Sequence, residues 1–371
     1  LVSVDWNGHV KRTHAQGEMV IGYEVSPTGD WIAFRENYNA FLMPFFGGGE
    51  TMEAGPKASQ LPVTRVSGDG GQYLHWGAGG RTLAWSLGPT LYSVDAATVI
   101  RAGDDTEYTA PKSGVSLAMT VPSARPDSLV ALAGAKIITM SDENGGTIED
   151  GVILIEDNRI RAVGPRGSVN IPAAAQQVDV AGKTIIPGLI DAHAHGPYGE
   201  DDLIPQQNWQ QLVHLAFGVT TAHDPSNTSS EVFAAAEMQR AGLILMPRAF
   251  STGEIVYGAK SPGRYALINN YEEARAHVHR LKVQGAHSIK NYNQPRRDQR
   301  QQVVKAAKEE NIAVVAEGAS LYGQDVTLIQ DGNTTLEHNI PQSMLYEDIL
   351  SFFSQTEVGY TPTLGVTYGG P

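Results

Sequence analysis

The chain of 371 residues carries 27 Lys and Arg against 40 Asp and Glu, a net charge of −13. That balance excludes a nucleic-acid partner bound through phosphates, which needs Lys and Arg. The absence of cysteine excludes disulfides and thiolate metal ligands, and no apolar run reaches the roughly 18 residues of a transmembrane helix.

The N-terminal stretch, 1–125, holds an internal repeat. Ser26-Pro-Thr-Gly-Asp-Trp-Ile-Ala-Phe34 matches Gly77-Ala-Gly-Gly-Arg-Thr-Leu-Ala-Trp85, and Phe41 matches Tyr92, all at one offset of 51 residues. Each unit is a glycine turn, a short apolar strand and a second strand. Repetition of this kind marks a propeller or solenoid. The Ser-Pro-x-Gly turn before Ile-Ala-Phe resembles the blades of TolB-type β-propellers. A partial propeller is expected, because a complete one takes about four to eight blades. Leu1-Val-Ser-Val-Asp5 reads as the last strand of an earlier blade.

Residues 126–185 contain short apolar runs without helical period, at Ala131–Met140, Gly151–Ile155 and Asn158–Gly164. They predict a small β-sandwich or sheet.

From 186 to 371 strands alternate with helices. Candidate strands are Thr184–Asp191, Val219–Asp224, Met246–Ser251, Ser288–Tyr292, Ile312–Glu317, Thr334–His338 and Gly359–Thr363. Helical stretches fall at Asn208–Phe217, Ser230–Ala241, Glu272–Gln284 and Arg297–Glu310. Such alternation implies a parallel sheet. No nucleotide-binding glycine signature follows any strand, so a (β/α)8 TIM-type barrel is expected, with its chemistry at the C-terminal strand ends. The whole is then multidomain, β plus α/β.

Asp191, His193 and His195 alternate with Ala192 and Ala194. In a strand, alternate side chains share a face, so two imidazoles at this spacing grip one cation of the zinc type. The run Ile185-Ile-Pro-Gly-Leu-Ile190 leads straight into the pair. By the same parity Ser288, Lys290 and Tyr292 share a face directed into the barrel mouth.

Gly182-Lys-Thr-Ile-Ile-Pro-Gly-Leu-Ile-Asp-Ala-His-Ala-His195 resembles the entry signature of the amidohydrolase superfamily, which includes imidazolonepropionases, dihydroorotases and related peptidases. Phe217-Gly-Val-Thr-Thr-Ala-His-Asp224 is similar to the family's second strand, and Asn333-Thr-Thr-Leu-Glu-His338 to its sixth. The resemblance implies one or two divalent ions, zinc first, held by His193, His195 and His338. It also implies a carboxylated Lys290 bridging two ions. The fifth strand departs from the family: Val314-Val-Ala-Glu-Gly318 offers Glu317 where relatives carry His. Glu317 is assigned as an oxygen ligand that favours a second or harder ion. His223, Tyr292 and Arg296 are candidates to face substrate, the last as a guanidinium fork for a carboxylate. His277, His279 and His287 are expected to be structural, and His9, His14 and His75 lack ligand spacing.

The resemblance implies hydrolysis of a C–N bond in an amide, cyclic amide or short peptide. The rival reading is a binding protein that acts through its propeller and carries a degenerate barrel. The stretch from Pro187 to Pro371 is shorter than the about 250 residues of such a barrel. The expectation is therefore a chain cut at both ends, with seven barrel strands and the family's eighth-strand Asp beyond Pro371. A periplasmic or exported location is favoured, and a homo-oligomer is left open.

Overall fold

The structure is a computed structural model that describes residues 1–101, 108–318 and 321–368. Its first part contains two four-stranded antiparallel sheets. One is built from Val20–Val25, Trp31–Glu36, Asn39–Pro44 and Thr64–Arg65. The other comprises Gln72–Gly77, Thr82–Leu87, Thr90–Asp95 and Val115–Ser116. The repeat is visible as geometry. Phe34 lies opposite Phe41, and Trp85 opposite Tyr92. The first pair stacks at 5.2 Å and 12°, the second at 6.1 Å and 14°, so the repeat preserves a cross-strand aromatic pair. Period-2 alternation then splits the Trp31–Glu36 strand. Ile32 and Phe34 enter one apolar cluster with Met43 and Met52, while Ala33 packs with Leu42, Trp76, Leu83 and Trp85 from both sheets. Two two-stranded ribbons complete this part. Among the described residues there are two such sheets, fewer than the about four blades that close a propeller.

Residues 129–185 form one five-stranded mixed sheet of Leu129–Ile138, Thr147–Glu156, Arg159–Pro165, Gln176–Asp179 and Thr184–Ile185. Of the two outcomes expected here, the single sheet forms and the sandwich does not. The long Leu129–Ile138 strand pairs antiparallel with Thr147–Glu156 on one side and parallel with Gln176–Asp179 and Thr184–Ile185 on the other, and Arg159–Pro165 adds to the outer edge of Thr147–Glu156. Its two faces carry separate apolar clusters, around Ala131 and Leu154 and around Ile137 and Ile153.

The remainder is α/β. Parallel strands run in chain order in two groups. Leu189–Asp191, Val219–Asp224 and Arg248–Ser251 form the first. Val256–Tyr257, Ser288–Tyr292, Ala313–Glu317, Thr335–Glu337 and Gly359–Thr361 form the second. A backbone bond from His287 N to Ser251 O, 3.0 Å, joins the groups. Proline explains two departures from expectation. Pro187 offers no N–H, so the predicted Thr184–Asp191 strand breaks in two. Its first half joins the preceding sheet, and its second half starts the α/β part. Likewise Pro247 trims the third strand to Arg248–Ser251. Gly188 sits where a Cβ would overlap the Thr220 hydroxyl on the next strand, so this junction tolerates no side chain.

The four predicted helices form, at Trp209–Ala216, Ser229–Ala241, Tyr271–Gln284 and Arg297–Glu309. The third shows why. Asn270 caps Glu273 N, two glutamates occupy the first turn, and Gly285 ends the helix at φ 117°. The last three of these helices bury Val232, Phe233, Val278, Leu281, Val303 and Val304 against strand residues such as Ile289 and Val314. Among the described residues no helix is long and apolar enough to cross a membrane.

Candidate functional site

The C-terminal strand ends converge on His193, His195 and His338. The His193 ring centroid lies 5.1 Å from that of His195 and 4.9 Å from that of His338. The first two do not stand on a strand, as their alternation predicts. The ladder ends at Asp191, whose Oδ1 accepts the His193 N–H at 3.1 Å. This side-chain turn bends the chain, and Ala194 N then bonds His223 O at 2.9 Å. Both rings nonetheless reach the same cavity. His338 follows the Thr335–Glu337 strand at φ 66°, a left-handed conformation held by its N–H on Thr361 O at 2.8 Å.

Each imidazole has its Nδ1 engaged. His193 Nδ1 lies 2.5 Å from Glu337 Oε2, His195 Nδ1 3.3 Å from Asp224 Oδ1, and His338 Nδ1 2.7 Å from Thr363 Oγ1. The supporting carboxylates are themselves fixed. Asp224 is fully buried and accepts from Ser226 N and Asn227 Nδ2, both at 2.9 Å. Glu337, 2% exposed, accepts from Thr335 Oγ1 at 2.7 Å. The hydrogen bond from His195 to Asp224 raises the His195 pKa. Burial pushes Glu337 toward protonation, but His193 and Thr335 outweigh it and hold the carboxyl below its ordinary value.

Lys290 and Glu317 form the other wall. Lys290 is 1% exposed, and its Nζ lies 2.6 Å from Glu317 Oε2. Glu317 Oε1 faces His338 Nε2 at 3.2 Å. Burial again favours the neutral acid, and His338 and Lys290 together reverse that, lowering the Glu317 pKa. Of the three residues expected to share a face on this strand, two line the cavity. Lys290 and Tyr292 line a cavity of about 440 Å³ with His193, His195, Glu317 and His338. Ser288 instead receives His223. Burial and the negative charge of Glu317 raise the Tyr292 pKa, so its hydroxyl stays protonated.

Two predicted substrate residues lie elsewhere. His223 is spent on structure: Nε2 bonds Ser288 Oγ at 2.8 Å and Nδ1 lies 3.3 Å from Ala192 O. Burial lowers its pKa. Arg296 begins a helix on the outside and pairs with Asp298 at 3.2 Å, because its side chain stays in solvent beside that carboxylate. The guanidinium that lines the cavity is that of Arg264, with Tyr257 and Ser261. It escaped sequence reasoning because it lies in a loop without period. Glu337 had a legible signal. Leu336 packs in an apolar cluster with Leu328 and Ile349, so in a strand its neighbour Glu337 takes the opposite face. His279 and His287 are structural, against Glu310 and Phe250.

Among the described residues no group of three or more His, Asp or Glu is arranged to hold a metal ion. The carboxylates point at His and Lys partners instead. The chemistry of the donor set still suits a divalent ion. Three imidazoles meet, and each is oriented through Nδ1 by an oxygen, the arrangement by which metal-ligating histidines are fixed.

No family model matches the chain. An imidazolonepropionase from Paracoccus denitrificans (strain Pd 1222) is 40% identical over 72 residues, 18% of this chain and 18% of that protein. The same enzyme from Geobacillus kaustophilus (strain HTA426) is 36% identical over 100 residues, 25% of this chain and 23% of that protein. The chain therefore matches about a fifth of the length of these curated relatives. Among solved structures, a Xaa-Pro dipeptidase with bound methionine superposes with TM-score 0.51 at 19% identity, covering 64% of this chain and 67% of that one. A protein from Bifidobacterium longum taken to be a prolidase superposes with TM-score 0.51 at 26% identity, covering 63% and 60%. The short sequence matches and the shared α/β fold together support the amidohydrolase superfamily for this chain.

Proposed function

We propose that this chain contributes the site of a metal-dependent hydrolase acting on a C–N bond in an amide, cyclic amide or peptide-like substrate. The observation that carries this reading is the meeting of His193, His195 and His338, each with Nδ1 held by an oxygen. Those three residues would hold a divalent ion, zinc by donor type, and Glu317 would add oxygen. A bound ion would polarise the substrate carbonyl and activate water at neutral pH. The chain's own residues do the rest. Tyr292, kept protonated, donates to the carbonyl oxygen. Arg264 forms no ion pair with a described residue and grips a substrate carboxylate, the role first given to Arg296. Asp224 and Glu337 keep the His195 and His193 rings in one orientation. Carboxylation of Lys290 would set two like charges about 3 Å apart beside Glu317, which is unfavourable unless a cation lies between them. The bridging carbamate is therefore tied to metal loading.

The test is elemental analysis of wild-type and His193→Ala protein beside a hydrolysis screen of dipeptides and cyclic amides. Metal and hydrolysis are expected to disappear together in the variant. Full hydrolysis by metal-free protein would refute the reading.

A further inference from the structure

One hairpin tip of the N-terminal sheets does not stay in its own sheet. Asn37 and Tyr38 connect Trp31–Glu36 to Asn39–Pro44 with φ of 47° and 75°. Left-handed values at both positions suit the tight turn of a hairpin, but an aromatic residue there is uncommon. The turn carries Tyr38 into the apolar core of the α/β part. Its ring lies under the guanidinium of Arg280, 3.7 Å away, and edge-on to His277 at 5.7 Å.

Arg280 is 1% exposed on the Tyr271–Gln284 helix. A buried cation needs partners, and it has three. The Tyr38 ring is one. Its Nη1 donates to Gln284 Oε1 at 3.1 Å and to Glu254 Oε2 at 3.2 Å. Gly70 makes room for it: a Cβ there would lie 2.8 Å from Arg280 Cδ and 3.2 Å from Tyr38 O. Glu254 also accepts from Ser229 Oγ at the start of the preceding helix, and its own N–H returns to that oxygen at 3.3 Å. Arg35, from the N-terminal sheet, adds a second positive charge acting on Glu254. The residues that follow Glu254 matter to the site. Ile255 and Tyr257 line the 440 Å³ cavity.

We infer that Arg280 is a positioning residue through which the N-terminal sheets hold the cavity wall: Tyr38 fixes Arg280, Arg280 fixes Glu254, and Glu254 fixes the 252–258 segment. The N-terminal part is thus a component of the site rather than an appended module. Nothing in this link touches His193, His195 or His338, and its reading does not depend on the proposed hydrolysis.

The test is amide hydrogen exchange on the full chain, comparing Tyr38→Leu, Arg280→Met, Arg280→Lys and Glu254→Gln with wild type. Each of Tyr38→Leu, Arg280→Met and Glu254→Gln is expected to speed exchange in 252–258 about fivefold or more, with peptides from 129–156 and 303–314 within about twofold of wild type. Arg280→Lys keeps the charge but not the flat stack, and should fall between. Combining Tyr38→Leu with Arg280→Met should be no faster than Arg280→Met alone, as for members of one chain of contacts. Unchanged exchange at 252–258 in Tyr38→Leu, beside faster exchange in Glu254→Gln, would break the link. A uniform rise over all peptides would also overturn it, by showing general loosening. If Arg280→Met does not fold, the Tyr38 and Glu254 variants decide alone.

Discussion

Replacing Lys290 by Met isolates the ion pair at the centre of the site. At 2.6 Å the pair with Glu317 has a gross attraction of about 6 kcal/mol at an effective dielectric of 20. Desolvation of both groups offsets most of that, so the pair itself is worth little beside two apolar side chains. Breaking it is different. In Lys290→Met, Glu317 remains buried with His338 as its one neighbour from the pair's surroundings, and the expected loss is about 3 kcal/mol. For an α/β unit of this size that is roughly 6–12 °C in Tm. Lys290→Met/Glu317→Leu removes the stranded charge as well and should return to within about 1 kcal/mol of wild type. The assay is thermal and urea unfolding of chelator-treated protein, so that metal binding does not contribute. A single variant within about 0.5 kcal/mol of wild type, or a double variant as unstable as the single one, would refute the argument.

Three further outcomes follow from the geometry. Glu337→Gln leaves His193 in place but loses the carboxylate behind it, so metal affinity should fall about 10–100-fold in a chelator competition; an unchanged affinity would deny Glu337 that role. Burial, aided by the charge of Arg280, holds the His277 pKa down to about 3. Below pH about 6.5 the unfolded chain then takes up a proton that the folded chain refuses, so stability falls with decreasing pH by up to about 1.4 kcal/mol per unit. His277→Asn should flatten urea midpoints between pH 7 and pH 5, and a slope equal to wild type would contradict this. Gly70→Ala should cost about 1–3 kcal/mol by forcing Arg280 aside, whereas Gly48→Ala, with open space around the new methyl, should be close to neutral in the same unfolding assay.

What could be read from the sequence follows the range of the forces involved. Helix caps and apolar periodicity act within a few residues, and the four predicted helices lie within about a residue of their expected ends. The repeat at Phe34 and Trp85 carried enough identity to predict matched strands. Sheet membership was less accessible, because it depends on which edge a strand finds. Thr184–Ile185 left its neighbour Leu189–Asp191 once Pro187 interrupted the ladder. Side-chain parity led Lys290 and Tyr292 to one cavity, and the family resemblance led Glu317 and His338 to the same place. It failed for His193 and His195, where a side-chain turn at Asp191 replaced the strand, although their destination was right. Arg264 and the short Val256–Tyr257 strand had no local signal. Their placement comes from tertiary contacts, among them Gln294 Nε2 on Val256 O at 3.0 Å, and no window of sequence contains both partners.

The close approach of Gly188 to Thr220 bears on how such chains diverge. The two positions share a single volume at the root of the histidine turn, so substitution at one is conditional on the other. A methyl at position 188 becomes acceptable once position 220 has given up its side chain, and Gly188→Ala should be rescued by Thr220→Gly. Descendants of this sequence can therefore lose the glycine of the Ile-Pro-Gly-Leu-Ile run without losing the turn that follows, provided the second strand changes first. A search that demands the glycine and ignores the partner would discard those chains. One that scores the pair jointly would keep them.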